Sequence, residues 1–491
     1  MVTSRFYLSA LRQSSGKTLV SIGLAAALRA RHLRVQTFKK GPDYIDAAWL
    51  ALASRRPCYH LDPYLAGFPE TLRQFTAQAN GTDVAFVEGN KGLHDGMALD
   101  GSDSNAALAV ALDLPVVLVV DVKGMTRGVA PWLFGVLHFA PKVRCAGVVL
   151  NRVAGSRHEA KVRAAIDHYL GIPVLGALPH LPTAAAIDER YLGLTPACED
   201  EAAEARVEAL RAWLEAGVDL DALLAATQID DAMPATAPAW AIDAPRDVAA
   251  EAIHCSPPFV KVHKRCRLGV RFRLAYPYDK AFSFYYDEDL QRFADLGVEL
   301  VPFDATTARR LPACDALWLG GGFPERAAAA LSANRALRSE ITAACRDGLP
   351  TYAECGGLIY LAAELRVGDA IYPMCGLFPA EVSLRARPVG RGYVALRPLP
   401  DHPWRQAVRD LLETPFLAHE FHYSALRWLG EAPPRFAWLV ERGYGIDGRH
   451  DGLVAFRTLA SYVHLRNLPH WRWTDAFLSA SVDAAIAATL A

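Results

Sequence analysis

Apolar runs of strand length recur through the first part of the chain, at 5–10, 33–38, 84–87, 115–122, 145–153 and 173–178, with helix-compatible stretches between them. The first of those stretches, 19–31, is rich in Ala and Leu and reads as a helix. Runs that are apolar throughout, rather than alternating, fit strands buried on both faces. Strand–helix alternation then predicts a parallel sheet covered by helices on both sides. The pattern changes from Glu199 to about Ala250, where a Glu/Ala-rich helical segment passes into Met233-Pro-Ala-Thr-Ala-Pro-Ala, with further prolines to Pro258. Proline at that density breaks regular structure and predicts a linker. A second α/β pattern begins at Arg267, with strands expected at 268–275, 299–303 and 316–319 and a short apolar stretch running into 351–361. Beyond it the pattern is strand-like with few helices, at 393–396, 416–423, 436–440 and 453–463. The expected organisation is an α/β domain over 1–230, a linker over 231–266 and a second α/β domain over 267–491.

Composition narrows the function classes. At 491 residues two or three domains are expected, and 52% hydrophobic with 21% charged residues is ordinary for globular proteins. A net charge of −1 supplies no global field toward nucleic acid or a membrane surface, so neither is expected as a partner. Nine cysteines at irregular spacing, with no C-x-x-C pair, point to reduced thiols in a cytoplasm rather than a disulfide framework or a zinc site. No apolar run reaches membrane-spanning length, since the longest, 106–122, is interrupted by Asp113 and Pro115. The chain enters a predicted strand within a few residues, so no signal peptide is expected, and no internal repeat is found.

Between the first strand and the first helix lies Leu11-Arg-Gln-Ser-Ser-Gly-Lys-Thr18. A loop ending in Gly16-Lys17-Thr18 at that position is a phosphate-binding arrangement. Backbone N–H groups and the helix N-terminus hold phosphates, Lys17 reaches the outer ones, and the Thr18 hydroxyl reaches Mg²⁺. Ala10 or Leu11 stands where the usual first glycine is expected, and a Ser-rich turn before a helix is the plainer alternative. The second strand runs into Lys39-Lys-Gly-Pro-Asp-Tyr-Ile-Asp46, which presents Asp43 and Asp46 at a strand's carboxyl end, the edge where open α/β sheets bind ligands. The 84–87 strand ends in Glu88, a carboxylate placed as in a Walker B element, and Gly89-Asn-Lys-Gly-Leu-His-Asp-Gly96 follows, carrying Asp95. A loop aspartate is often only a turn residue or helix cap. The grouping of these acids near strand ends favours binding. Asn151, closing another strand, is a candidate for nucleotide-base contact.

In the second half, Thr351-Tyr-Ala-Glu-Cys-Gly-Gly-Leu-Ile-Tyr-Leu361 has the layout of a nucleophile elbow, a strand-to-helix turn whose glycines tolerate a tight backbone and whose helix N-terminus favours the thiolate of Cys355. A free cysteine is usually a small buried hydrophobe and a lone histidine usually structural. Two further stretches favour chemistry. Leu319-Gly-Gly-Gly-Phe-Pro-Glu325 follows a strand and can supply oxyanion N–H donors, and Ser461-Tyr-Val-His464 can supply the base. His419 and His422 lie three apart on a predicted strand, so they point to opposite faces and read as a pocket wall rather than a metal pair.

These three pieces resemble the class I glutamine amidotransferase domain, and with the first half included the chain resembles the cobyrinic acid a,c-diamide synthase family over nearly its full length. The resemblance rests on Lys-Gly-Pro-Asp-Tyr-Ile-Asp (40–46), Val-Glu-Gly (87–89) with Gly-Leu-His-Asp-Gly (92–96), Asn-Arg-Val (151–153) and Glu-Arg-Tyr-Leu-Gly-Leu (189–194). In the second half it rests on Ala-Phe-Ser-Phe-Tyr-Tyr (281–286), Gly-Gly-Phe-Pro-Glu (321–325), Ala-Glu-Cys-Gly-Gly (353–357), His-Glu-Phe-His-Tyr-Ser (419–424) and the late His464. It implies a P-loop NTPase-like, dethiobiotin-synthetase-like parallel sheet followed by a class I amidotransferase domain. It implies ATP- and glutamine-dependent amidation of the a and c acetate carboxylates of a tetrapyrrole through an acyl phosphate. The implied ring is cobyrinate or hydrogenobyrinate, or sirohaem or sirohydrochlorin.

By the same resemblance, Gly16, Lys17, Thr18, Lys39 and Asn151 contact the nucleotide, and Thr18, Asp43 and Glu88 hold Mg²⁺. Asp46 and Asp95 align the substrate carboxylate, Cys355 attacks glutamine with His464 moving protons, and N–H groups near Gly322 and Gly356 hold the oxyanion. Ammonia is expected to cross between domains on a shielded path, and a homodimer is one assembly such a chain can form.

The sequence departs from the family's usual pattern in four places: Ala-Ala-Trp-Leu after Asp46, His94 in place of an aromatic Phe or Tyr, Ser102-Asp-Ser-Asn-Ala-Ala107 without the usual Thr, and Gln13-Ser14 in the phosphate loop. The first three fall on the substrate side and point toward a sirohaem-type ring. Two residues after His464, where class I glutaminases place a carboxylate, stands Arg466. Either the Cys–His pair acts alone or another residue orients the imidazole. Cobyric acid synthase-type amidation of other side chains, and a non-catalytic ATP-dependent switch, are the alternative functions.

Overall fold

The computed structural model describes residues 3–190, 193–229, 272–412 and 414–490, and the chain divides into two compact units, Met1–Glu251 and Ala252–Ala491. The expected linker, 231–266, and the first part of the strand expected at 268–275 lie outside the described residues.

In the first unit, strands β1 (Thr3–Ala10), β2 (Val35–Lys40), β3 (Tyr59–Leu61), β4 (Val84–Glu88), β5 (Val116–Asp121), β6 (Cys145–Val153) and β7 (Val174–Pro179) form a parallel sheet in the order β3-β2-β4-β1-β5-β6-β7. Helices α1 (Lys17–Ala30), α2 (Tyr44–Ser54), α3 (Pro63–Ala79), α4 (Asn105–Ala111), α5 (Val129–Phe139) and α6 (Ser156–Leu170) connect them. Every residue of β2, β4 and β5 is buried, as expected of strands covered on both faces. The chain runs from β1 to one edge at β3, returns through β4 to β1's side, and continues on the other flank with β5. The ends of β1 and β4 therefore lie where the winding reverses, the position at which such sheets bind ligands.

β2 ends two residues later than its hydrophobicity predicts, because Lys39 and Lys40 continue it and both are buried. Lys39 is paired with Asp43 and Asp46 from the following loop and helix and with Glu88 of β4, and Lys40 donates to the Asp103 carbonyl.

The second unit is built on a nine-stranded sheet. Its parallel part comprises Glu299–Phe303, Arg273–Pro277, Ala316–Leu319, Thr351–Glu354 and Thr458–Ser461, in that spatial order. Antiparallel strands His450–Ala455, Phe436–Arg442, Gly390–Pro398 and Phe416–His422 extend it. The single strand expected over 453–463 is in fact a tight hairpin between His450–Ala455 and Thr458–Ser461. Its turn passes through Phe456 at φ 54°, a conformation usually left to Gly or Asn, so the apolar run gave no turn signal. A second, four-stranded sheet (Ala370–Pro373, Ala362–Val367, Phe378–Leu384, Ser424–Trp428) and a terminal helix, Trp473–Leu490, were not expected from the pattern.

Candidate functional site

Three strand ends converge on one carboxylate in the first unit. The register pairs Glu88 with Leu8 of β1 and with Lys39 of β2, so Glu88 meets the phosphate loop on one side and a buried ammonium on the other. Lys17 Nζ lies 3.0 Å and Thr18 Oγ1 2.7 Å from Glu88 Oε1. Thr18 Oγ1 is 3.2 Å from Asp46 Oδ2. Lys39 Nζ reaches Asp46 Oδ2 at 2.5 Å, Glu88 Oε1 at 3.3 Å and Asp43 Oδ2 at 3.6 Å. Burial opposes the Lys39 charge, but Asp46, Glu88 and Asp43 outweigh it and hold its pKa well above the ordinary value. Burial, with Asp43 beside it, raises the Asp46 pKa against the pull of Lys39 and Lys17. Asp43 also caps α2, accepting from Asp46 N at 3.0 Å.

The loop between β1 and α1 is shaped by Ser14 at φ 61° and Gly16 at φ 86°. A Cβ on Gly16 would lie 2.2 Å from Asn151 Nδ2. That amide donates to the Ser15 carbonyl at 2.9 Å, so Asn151 is placed against the loop backbone. Asp95 is exposed, and its Oδ2 accepts from Gly92 N at 2.8 Å. Gly92 in turn packs so closely on the loop that a Cβ there would lie 2.8 Å from the Leu11 carbonyl. Asp95 is thus held beside the phosphate loop, outside the Lys39 cluster. His94 Nε2 faces the Val136 carbonyl at 2.7 Å, tying the same turn to α5.

Glu88 Oε2 is buried with no hydrogen-bond partner. An orphan carboxylate oxygen beside a hydroxyl and further carboxylates is a hard-oxygen donor set suited to Mg²⁺. Among the described residues no three His, Cys, Asp or Glu side chains are grouped as a ready metal cage. Mg²⁺ does not require one, since it takes one or two carboxylates and completes its shell with water and phosphate oxygens. The residues present fit the ion.

In the second unit, adjacent parallel strands end in the glycine loop 320–322, at Cys355 and in the segment that carries His464. Leu319 pairs with Ala353, and Glu354 with Ser461. Cys355 follows at φ 45°, ψ −95°, a strained conformation that costs about 1–3 kcal/mol. It is held by Cys355 N donating to the Ser461 carbonyl at 2.7 Å and by Ile359 N donating to the Cys355 carbonyl at 3.1 Å. His464 lies three residues beyond its strand, pinned by His464 N donating to the His419 carbonyl at 2.8 Å, with the two rings stacked 5.0 Å apart. Burial disfavours the imidazolium, but hydrogen bonds to Cys355 and Glu354 and the charges of both raise its pKa to about 10. A thiol hydrogen-bonded to a buried imidazole is an arrangement that covalent catalysis can use.

The glycines permit the approach of these segments. A Cβ on Gly321 would lie 2.6 Å from His464 Cε1, and one on Gly356 would lie 3.1 Å from Gly322 N. Ser283 N and Phe284 N both donate to the Gly321 carbonyl at 3.1 Å, which is the use the structure makes of the aromatic 281–286 stretch. His419 and His422 have separate partners, Tyr286 and Ser424 respectively.

Sequence reasoning left the imidazole's orienting group open and did not single out Glu354. Its Oε2 lies 3.5 Å from His464 Nδ1. The residue stands beside Cys355 in the sequence, but its relation to His464 depends on strand register. Arg466 turns away, pairing with Glu288 at 2.9 Å and covering the Tyr286 ring at 5.3 Å.

Comparison with known proteins adds to this geometry. Residues 273–470 match the family described as a CobB/CobQ-like glutamine amidotransferase domain, and residues 65–187 the family described as an AAA domain. The chain is 43% identical over 472 residues to the cobyrinate a,c-diamide synthase of Magnetococcus marinus, covering 95% of each chain. It is 37% identical to the protein of the same name from Archaeoglobus fulgidus, covering 92% of each chain. The identity is 34% with that of Methanosarcina acetivorans, covering 97% of this chain and 95% of the relative. Among the described residues no helix is long and apolar enough to cross a membrane.

Proposed function

The chain belongs to the cobyrinate a,c-diamide synthase family of glutamine-dependent ligases, and from that premise we propose that it amidates the a and c acetate carboxylates of a cobyrinate-type ring, using ATP and glutamine. The observation that carries the reading is the contact of Cys355 with His464 on the strained turn after Glu354. It occurs in a chain whose other unit gathers Lys17, Thr18, Lys39, Asp46 and Glu88 at one sheet edge.

A carboxylate does not react with ammonia at neutral pH, because hydroxide is a poor leaving group. In the first unit, Lys17 and the loop 11–16 face the nucleotide phosphates, and Asp46 and Asp95 orient the ring carboxylate. Thr18, Asp43 and Glu88 would hold Mg²⁺, which when bound spreads the charge that develops during phosphoryl transfer. A carboxylate oxygen attacks the γ-phosphorus, ADP leaves, and an acyl phosphate forms. In the second unit, Cys355 Sγ attacks the glutamine amide carbon and His464 gives a proton to the departing nitrogen. N–H groups near Gly322 and Gly356 hold the oxyanion. Water then cleaves the thioester to glutamate and restores the thiol. Ammonia attacks the acyl carbon, and phosphate leaves. It must arrive unprotonated, since ammonium has no lone pair to attack with.

The test is mass spectrometry of products from glutamine, ATP-Mg²⁺ and, separately, cobyrinate, hydrogenobyrinate, sirohydrochlorin and sirohaem. Two acid-to-amide conversions on a cobyrinate-type ring are expected. Conversion only on sirohydrochlorin or sirohaem would make Ala47, Ala48, His94 and Ser102-Asp-Ser-Asn-Ala-Ala107 specificity determinants. Amidation at other side chains would indicate the cobyric acid synthase reaction, and no conversion on any ring would leave the switch reading. Cys355→Ala is expected to lower glutamine hydrolysis by about a thousandfold or more. The same variant should retain amidation when ammonium salts replace glutamine. Normal glutamine turnover in it would sink the mechanism.

A further inference from the structure

We propose that Glu354 is the positioning residue of the glutaminase site, orienting His464 from the strand that leads into the nucleophile and so filling the role that Arg466, two residues after the histidine, cannot fill. The inference rests on the reading of Cys355 and His464 given above.

Glu354 is 2% exposed and its two oxygens are divided between tasks. Oε1 accepts from Tyr352 OH at 2.6 Å and from Leu465 N at 3.1 Å. One donor lies on the strand of Glu354 itself and the other next to His464, and together they fix the carboxylate with Oε2 facing His464 Nδ1 at 3.5 Å. The Tyr352 phenol is buried, and burial with the Glu354 charge beside it pushes its pKa well up, so it stays a donor. A carboxylate facing Nδ1 favours the Nδ1–H tautomer and leaves Nε2 for the thiol, and it stabilises the imidazolium formed when Cys355 gives up its proton.

The other described groups near His464 have the following partners. From the strand Phe416–His422, His419 presents a stacked ring at 5.0 Å, and its own Nδ1 lies 3.4 Å from Tyr286 OH. Beyond the histidine, Arg466 is engaged with Glu288 and the Tyr286 ring. From the elbow comes Cys355 itself. Asp451, from the strand His450–Ala455, accepts from Ser461 Oγ, Tyr462 N and Val463 N and is spent on that segment's backbone.

The test uses the full-length protein and the variants Glu354→Gln and Glu354→Asp, with two readouts. One is glutamine hydrolysis as a function of pH. The other is the rate at which iodoacetamide labels Cys355, followed on its peptide by mass spectrometry, which needs no turnover. Glu354→Gln keeps an acceptor for Tyr352 but loses the charge. It is expected to lower kcat about tenfold or more with KM within about twofold. The inflection that reports loss of the His464 proton should move down by about one pH unit or more in both profiles. Glu354→Asp should restore part of both effects. An alkaline inflection unchanged in a folded Glu354→Gln overturns the proposal. Should Glu354→Gln not fold, Tyr352→Phe removes one of the two hydrogen bonds that hold Oε1 without touching His464, and a profile identical to wild type then overturns it instead. A shift in the labelling profile of a protein that never hydrolyses glutamine would uphold the role of Glu354 and refute the glutaminase reading.

Discussion

Gly16 stands at φ 86° with the Asn151 amide where its side chain would be. Gly16→Ala must adopt that backbone and displace the amide that holds the Ser15 carbonyl, costs that together come to about 1–3 kcal/mol. The expected outcome is a Tm lower by about 3–10 °C and loss of the thermal stabilisation that ATP-Mg²⁺ confers on the wild type, both read by thermal melts. Lys39 poses a harsher case. Removing its ammonium leaves Asp46, Glu88 and Asp43 facing one another without their shared cation. Breaking a buried charge cluster on one side costs about 3–5 kcal/mol, so Lys39→Met should show that loss in urea denaturation. At this scale the strand–loop–helix settings of Lys17 and Cys355 were legible in the sequence, since loops ending in Gly-Lys-Thr and elbows around Cys-Gly-Gly are local. Glu354 was not, because a carboxylate next to a nucleophile can point to either face until the neighbouring strand is in place.

At the scale of elements, the elements expected in the first unit formed with small shifts, and that of β2 involves buried charge. Lys39 and Lys40 look like strand breakers, yet both lie in β2. Lys40 is held by the Asp103 carbonyl, and burial lowers its pKa to about 8 despite Asp103 and Asp62 nearby. In the second unit the hairpin at Phe456 escaped the pattern because a phenylalanine holds the turn position in place of Gly or Asn. The four-stranded sheet escaped it because Phe378–Leu384 takes its partner strand, Ser424–Trp428, from far along the chain.

One buried histidine in that unit makes a pH prediction. His402 packs edge-on to Trp438 at 4.4 Å, accepts from Trp404 N at 3.0 Å through Nδ1, and is lowered by burial from 6.5 to about 3. A histidine with a depressed folded pKa binds its proton more readily when unfolded, so stability falls as pH drops below 6.5 and goes on falling to about 3. Between pH 6.5 and pH 5 this amounts to about 2 kcal/mol. His402→Gln should flatten that part of the stability–pH curve of the second unit, and a slope equal to wild type would show that His402 does not carry it.

For the whole molecule, each of the two compact units has its own hydrophobic core and its own candidate site. Disabling one site should therefore spare the other's structure. Lys17→Ala is expected to abolish ATP-Mg²⁺ stabilisation while iodoacetamide labelling of Cys355 keeps its wild-type rate and pH profile. Cys355→Ala should retain the nucleotide-induced rise in Tm. A labelling profile altered by Lys17→Ala would show instead that the phosphate site shapes the glutaminase site in the resting protein.

The sequence by itself determined the α/β character of both units, the strand–loop–helix settings of Lys17 and Cys355, and the family to which the chain belongs. Each of these is encoded within a few residues, as hydrophobic period, glycine position or side-chain type. Tertiary structure alone decided which side chains meet. Lys39 meets Glu88 because β2 and β4 are in register, Asn151 meets the phosphate loop because β6 ends beside it, and Glu354 meets His464 because the strand Thr351–Glu354 pairs with Thr458–Ser461. Register is a relation between segments far apart along the chain, set by the packing of buried faces, and no stretch of sequence holds both halves of it.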